Sequence, residues 1–265
     1  MADLLNAAAP AQMLAAGRPK RRHLTVCLPL VFLIGTPTLL ITRYVYWLHY
    51  PQEFVGTSPT ISGTASVAPT SDIFQWAILA AVVCIFVTWS LELGMVRHRL
   101  RTHLPEGPTR ADLWTTNTLA CWFGIAAGIF LGALAVVDLG SGNSQHMLYS
   151  VLFFVTQVLA FVLDSLGGVK LRRLCPGLTH PSERLAIVGK IGLAGISLTG
   201  GLFFLFIFAA KDIGLFADRY AVQQVYVLAE YGLCILLFAY PLPCYLEIRR
   251  HYRQRRPVHG VAPIV

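Results

Sequence analysis

Charged residues are scarce in this sequence, and their scarcity argues against an ordinary soluble domain. Only 13% of the 265 residues are Asp, Glu, Lys or Arg, while 55% are hydrophobic. Soluble domains usually carry about a quarter charged residues. No stretch alternates polar and apolar residues over the length of a strand, which argues against a membrane β-barrel. The composition therefore indicates a helical membrane protein.

Cysteines and glycosylation sites are missing from the segments predicted to face away from the cytosol. All six cysteines lie within or beside apolar runs, so we expect no disulfide framework. There is no Asn-x-Ser/Thr sequon, so N-glycosylation is not expected. Cys175 and Cys244 lie at the predicted cytoplasmic margin, where they are either palmitoylation sites or inert thiols.

The apolar residues form runs that are long enough to cross a membrane. A spanning helix needs roughly 20 apolar residues, and we find six such runs: 24–48, 73–96, 113–137, 147–169, 185–210 and 222–246. The predicted fold is all-α, an integral membrane bundle of six transmembrane helices. We expect a cytoplasmic segment 1–23, a transmembrane domain 24–248 with a luminal or extracellular loop 49–72, and a basic cytoplasmic tail 249–265.

The basic residues are concentrated at alternate helix ends. They precede the first run, follow the second and fourth, and fill the tail, whereas the opposite ends carry Arg43, Lys211 and Arg219. By the positive-inside rule, both termini are predicted to be cytoplasmic. This placement favours anionic lipid headgroups at the cytoplasmic face, and membrane lipids generally, as partners rather than nucleic acid.

One long polar connection stands out between the first two apolar runs. Residues 59–74, here called the signature loop, are rich in Ser and Thr and contain Pro59 and Pro69. Helix pairs are usually joined by only a few residues, and longer loops are either functional or plain linkers. Both interpretations remain open from spacing alone.

The signature loop also resembles the motif of a known membrane family, which contains the damage-regulated autophagy modulators (DRAM) and their Frag and Sfk relatives. That motif reads Pro, aromatic, Ile-Ser-Asp-Thr-Gly, a spacer, Pro-Glu, an aliphatic residue and Phe. The matching positions here are Pro59, Ile61, Ser62, Thr64, Pro69, Ile73 and Phe74. Gly63, Ala65 and Thr70 replace the family's Asp, Gly and Glu, so two carboxylates are missing. The resemblance extends to His146, which precedes a Phe pair, and to Glu230, which precedes an aromatic residue.

Four ionisable residues are predicted near the membrane edge that carries the signature loop: Arg43, Asp138, His146 and Glu230. Ionisable groups within a membrane are costly and mark candidate functional sites. One hypothesis is a polar pocket in which Glu230 pairs with Arg43 or His146 beneath the loop. The alternative is a structural ion pair that fixes helix packing. On the other side, Asp164 and Lys190 are expected to form a packing pair.

Recognised catalytic motifs are missing from the sequence. There is no Gly-x-Ser-x-Gly elbow, no base lies beside Ser62 or Ser66 in the sequence, and no HExxH or HxxxH spacing supports a metal site. We therefore expect a non-enzymatic protein with no metal and no cofactor.

Small residues recur at helical spacing in the third and fifth apolar runs. Gly124, Gly128 and Gly132 form one series, and Gly192 and Gly195 belong to a second. Such spacing allows close contact between helices in lipid. We predict that both helices are packed centrally within the bundle.

The family resemblance implies an autophagy or lysosome modulator that acts on membrane lipid organisation. It implies residence in an endomembrane, such as the lysosome or Golgi, or in the plasma membrane. The alternatives are a glycosylphosphatidylinositol (GPI)-anchor lipid-remodelling factor, as in the Frag branch, or a lipid or small-molecule transporter.

Overall fold

A computed structural model of the protein describes residues 23–55, 57–137, 139–175 and 181–253. The helices, in chain order, are α1 (Cys27–His49), α2 (Ile61–Thr64), α3 (Thr70–His103), α4 (Pro108–Val136), α5 (Leu139–Leu174), α6 (Pro181–Asp212), α7 (Arg219–Ala239) and α8 (Pro241–Arg253). A short 3-10 helix, Pro51–Phe54, follows α1.

The described helices confirm the all-α class and the number of predicted spans. Six segments are long and apolar enough to cross a membrane, with α7 and α8 together forming the last one. Pro241 begins α8 at the α7–α8 junction, where its missing N–H interrupts the helix. The helix continues to Arg253 instead of giving way to a tail at residue 249, and α3 begins at Thr70.

The spanning segments pack in a ring that follows the order of the chain. α1 contacts α3, α3 contacts α4, α4 contacts α5, α5 contacts α6, and α6 contacts α7 and α8. The ring closes because α1 also packs against α7 and α8. Residues 50–69 and 213–218 connect helices at one end, here called the loop face, and residues 104–107 connect them at the opposite face.

Aromatic stacking fills the centre of the bundle. Tyr240 stacks on Phe161 with ring centroids 3.6 Å apart, and on Trp89 at 6.5 Å. Gly124 lets α4 approach this stack, because a Cβ there would lie 2.0 Å from the Trp89 indole. Gly128 has a similar role, since its Cβ would lie 2.6 Å from Phe86.

The other glycines of the two series are not in such close contact. A Cβ at Gly132 would make ordinary contacts at 3.9 Å, and a Cβ at Gly192 or Gly195 would meet nothing within 4 Å. The prediction that α6 is a central helix packed through these glycines is therefore wrong. Only 17% of its most apolar stretch is buried, so much of α6 faces outward from the bundle.

Candidate functional site

The signature loop is folded against the bundle by a series of local hydrogen bonds. Thr60 caps α2, its Oγ1 accepting from the Gly63 amide at 3.0 Å. The hydroxyls of Thr64, Ser66 and Thr70 donate to carbonyls three residues earlier. These side chains satisfy the backbone groups of a segment that has no long helix or sheet of its own.

Arg43 fastens the start of this loop to the end of α1. Its Nη1 donates to the Pro59 carbonyl and its Nη2 to the Ser58 hydroxyl, both at 2.8 Å. The guanidinium also lies over the rings of Phe54 and Tyr231, 5.2 and 5.1 Å from their centroids. A guanidinium offers several fixed donors, so one side chain can hold two adjacent loop residues.

Glu230 holds the next part of the loop from α7. Its Oε2 accepts a 3.0 Å hydrogen bond from the backbone N–H of Ile61. Both residues are 8% exposed. The predicted direct pairing of Glu230 with Arg43 or His146 is not formed within 4 Å in the described residues. Instead, Arg43 and Glu230 bind neighbouring positions of the same loop.

His146 contacts the loop from α5. Its Nε2 lies 2.7 Å from the Ser62 hydroxyl, although the two residues are 84 positions apart in the chain. Three separate helices, α1, α5 and α7, therefore each supply one of the predicted polar residues to residues 58–62, which comprise Ser58 and the first four residues of the signature loop.

A cavity of about 320 Å³ lies beside these contacts at the loop face. Its polar lining includes Ser62, Gln75, His146, Ser150 and Glu230, and its remaining wall is largely apolar. Clefts of about 300–1,000 Å³ with a few placed polar groups are typical of small-molecule sites. The cavity can therefore accept the polar end of an amphipathic molecule.

The remaining predicted loop residues occupy different positions. Thr64 is 1% exposed and lies 3.4 Å from the Tyr231 hydroxyl. Phe74 lines the cavity, whereas Ile73 is exposed. Pro69 directly precedes α3. Asp138 is outside the described residues, so its predicted place in the pocket stays a prediction.

A second polar cluster lies in the opposite half of the bundle. Lys190 Nζ contacts Glu92 Oε1 at 2.6 Å, and Asp164 Oδ2 and Glu247 Oε2 at 3.0 Å. Arg99 joins it through an ion pair with Glu247 and another, at 2.9 Å, with Glu183. The predicted Asp164–Lys190 contact is therefore one part of a larger network.

Sequence reasoning missed two residues that hold the signature loop. Ser58 bonds to Arg43 through its hydroxyl, and its carbonyl accepts from Gln223 Nε2 at 2.9 Å. Gln223 lies seven residues before Glu230 on α7, a spacing that places both on one helix face. That spacing could have identified Gln223, whereas no local pattern singles out Ser58.

Comparison with known families agrees with this architecture. A family model described as the Frag1/DRAM/Sfk1/Cwh43P N-terminal domain matches residues 25–251. The chain belongs to this family. No curated protein matches the chain, and no solved structure matches it.

Three residues of this Frag1/DRAM family chain, Gly63, Ala65 and Thr70, differ from the loop motif, and they lie in different surroundings. Ala65 lines the cavity, and Thr70 is fully buried with its hydroxyl bonded to the Val67 carbonyl at 2.6 Å. Gly63 lies inside α2, where a Cβ would approach Thr60 Oγ1 at 3.2 Å. A buried carboxylate does bond to the loop, but it belongs to Glu230 of α7, which accepts from the Ile61 amide.

Proposed function

We propose that this protein binds a membrane lipid in the loop-face cavity and acts on membrane lipid organisation. The observation that carries the proposal is an amphipathic cavity beneath a firmly anchored loop. Glu230 and His146 lie at its polar side, and Leu131 and Phe154 are among its apolar wall. A lipid matches this division because it joins a polar headgroup to hydrocarbon chains.

Membership of the Frag1/DRAM family supports the membrane setting of this role. We propose the more specific role of an autophagy or lysosome modulator in an endomembrane or the plasma membrane. GPI-anchor lipid remodelling, the function implied by the Frag branch, is the second candidate because it too requires a lipid to enter the bundle from the membrane.

Transport across the membrane is less well supported by the shape of the bundle. Phe153 and Phe238 line the loop-face cavity and also a void of about 10 Å³ next to Glu92. These aromatic side chains separate the cavity from the ion-pair cluster around Lys190. A transported molecule would have to pass both these aromatic side chains and the ion-pair cluster.

Photo-crosslinking in lipid nanodiscs tests the binding proposal. A phospholipid with a photoreactive group near its headgroup should attach to peptides that line the cavity. Glu230→Gln retains an acceptor for the Ile61 amide but removes the negative charge that attracts a cationic headgroup. Crosslinking of a choline phospholipid should therefore fall, while thermal stability changes little. Glu106→Gln is the matched control, because Glu106 is 92% exposed at the opposite face. Equal crosslinking of both variants at cavity peptides, or none in the unmodified protein, would contradict the proposal.

A further inference from the structure

One hydroxyl of the signature loop, that of Ser62, has an imidazole as its hydrogen-bonding partner. Thr60, Thr64, Ser66 and Thr70 all bond to backbone groups three residues away, and Thr64 also lies 3.4 Å from the Tyr231 hydroxyl. Ser62 instead meets the imidazole of His146 on another helix, with 2.7 Å between Oγ and Nε2. The local bonds already hold the turn, so this contact needs a separate explanation.

We propose that Ser62 and His146 are the nucleophile and general base of an acyl-transfer site whose substrate is a lipid ester in the loop-face cavity. Their separation lies within the range of about 2.6–3.2 Å over which a histidine can take the proton of a serine nucleophile. Both residues line the cavity. The inference rests on the proposed function, because its substrate occupies the lipid-binding cavity. It departs from the expected non-enzymatic character, which depended on the lack of a base beside Ser62 in the sequence.

The loop is held by other helices immediately before the nucleophile. Glu230 fixes the Ile61 amide, which is adjacent to Ser62, and Arg43 fixes the Pro59 carbonyl. Thr60 caps the turn that carries the serine. Because reaction rates depend steeply on the orientation of the attacking atom, Glu230 and Arg43 act as positioning residues.

The cavity lining favours an uncharged ester close to Ser62. Glu230 lies next to this position, and like charges in close contact repel, so an anionic group beside the nucleophile is disfavoured. The apolar wall, which includes Leu134 and Phe153, suits the acyl chain. Gln75 also lines the cavity, and a side-chain amide is one of the donors that can stabilise an oxyanion.

The proposed reaction needs no oxidant or metal. Ser62 Oγ forms a bond to the acyl carbonyl carbon while His146 Nε2 takes the hydroxyl proton. The ester C–O bond then breaks, and the departing lipid oxygen receives that proton, leaving an acyl-serine. Water or the hydroxyl of a second lipid attacks the acyl-serine, gives its proton to His146 and releases the acyl group. The imidazole returns the proton to Ser62 Oγ, and the product is a fatty acid or a new ester.

An alkyl fluorophosphonate, which bonds covalently to activated serines, tests this assignment on the full chain in nanodiscs. Mass spectrometry of the unmodified protein should find the label on Ser62. Ser90→Ala is the control, because Ser90 is exposed on α3 outside the cavity, and it should label at the original rate. Ser62→Ala should not label. His146→Gln keeps a hydrogen-bonding group but supplies no base, so labelling should slow by at least about 100-fold.

The result on the unmodified protein decides the proposal even where a variant folds poorly. No label on Ser62, or a label whose rate is unchanged in His146→Gln, would overturn the nucleophile–base assignment. Lipid crosslinking to the cavity without any Ser62 label would leave the proposed function in place while removing this inference. A Ser62 label without lipid crosslinking would support the nucleophile but overturn the lipid substrate and the proposed function.

Discussion

Removing the charge of Lys190 is the sharpest test of the packing in the half of the bundle opposite the loop face. Its ammonium group is within 3.0 Å of three carboxylates, Glu92, Asp164 and Glu247, and its side chain is 3% exposed. Lys190→Met retains the length and the apolar stem but removes the positive charge. The three carboxylates come from α3, α5 and α8, so the substitution affects contacts with three helices at once.

The expected loss of stability in Lys190→Met depends on which of the three carboxylates still has a cation nearby. Glu247 keeps its ion pair with Arg99, whereas Glu92 and Asp164 lose their cation. Breaking a buried ion pair by removing one partner costs about 3–5 kcal/mol. We expect Lys190→Met to lower the free energy of unfolding by about this amount, because two buried carboxylates are left without a cation.

A matched lysine provides the control. Lys170 pairs with Asp112 at 2.9 Å, but the two side chains are 48% and 61% exposed. Exposed pairs are worth about 0–1 kcal/mol, so Lys170→Met should have little effect. Unfolding in mixed micelles, followed by tryptophan fluorescence against SDS mole fraction, measures both variants. Adding Glu92→Gln and Asp164→Asn to Lys190→Met should recover much of the loss. A Lys190→Met loss no larger than that of Lys170→Met would refute the reasoning.

The remaining predictions concern the helix contacts, the topology and the loop. Gly124→Ala should lower the free energy of unfolding by about 1–3 kcal/mol through overpacking, whereas Gly192→Ala should change it little. Equal stabilities of the two variants in the same unfolding assay would contradict the close packing at Gly124. In a cysteine-free background, an impermeant thiol reagent should label Ser66→Cys from the non-cytoplasmic side and His103→Cys from the cytoplasmic side, and labelling of both from one side would exclude the six-span topology. Arg43→Met should release the start of the signature loop. Amide hydrogen exchange at residues 57–61 should then become faster, while exchange in the spanning helices stays unchanged. Unaltered exchange in the loop would show that Arg43 does not anchor it.

The number and approximate position of the spans could be predicted from the sequence because hydrocarbon thickness dictates helix length. Which side of each helix faces its neighbours was harder to predict. In a membrane both the lipid-facing and the core-facing residues are apolar, so hydropathy distinguishes them poorly. Gly192 and Gly195 illustrate the problem: like Gly124 and Gly128 they recur at helical spacing, although no side chain packs against them.

The sequence could single out the ionisable residues of the candidate site, but not the residues to which they hydrogen-bond. Arg43, His146 and Glu230 were identified because ionisable groups are rare in apolar segments. Their contacts depend on which helices become neighbours, and the sequence does not state this. Glu230 bonds to Ile61 from 169 residues away, and Ser62 reaches His146 only once α5 packs in the bundle. A sequence search for a base near Ser62 could not have found a residue brought in by the fold.

The closed ring of helices has a consequence for the order in which the protein is made. α1 is synthesised before α7 and α8, yet it packs against both of them. One side of α1 therefore lacks these two partners until α7 and α8 have been translated and inserted. Lys190 likewise is synthesised after Glu92 and Asp164 but before Glu247, so the cluster is complete only once α8 has been made. Premature termination before α7 would leave both the first helix and the signature loop without their final contacts, giving membrane quality control a defined nascent species to recognise.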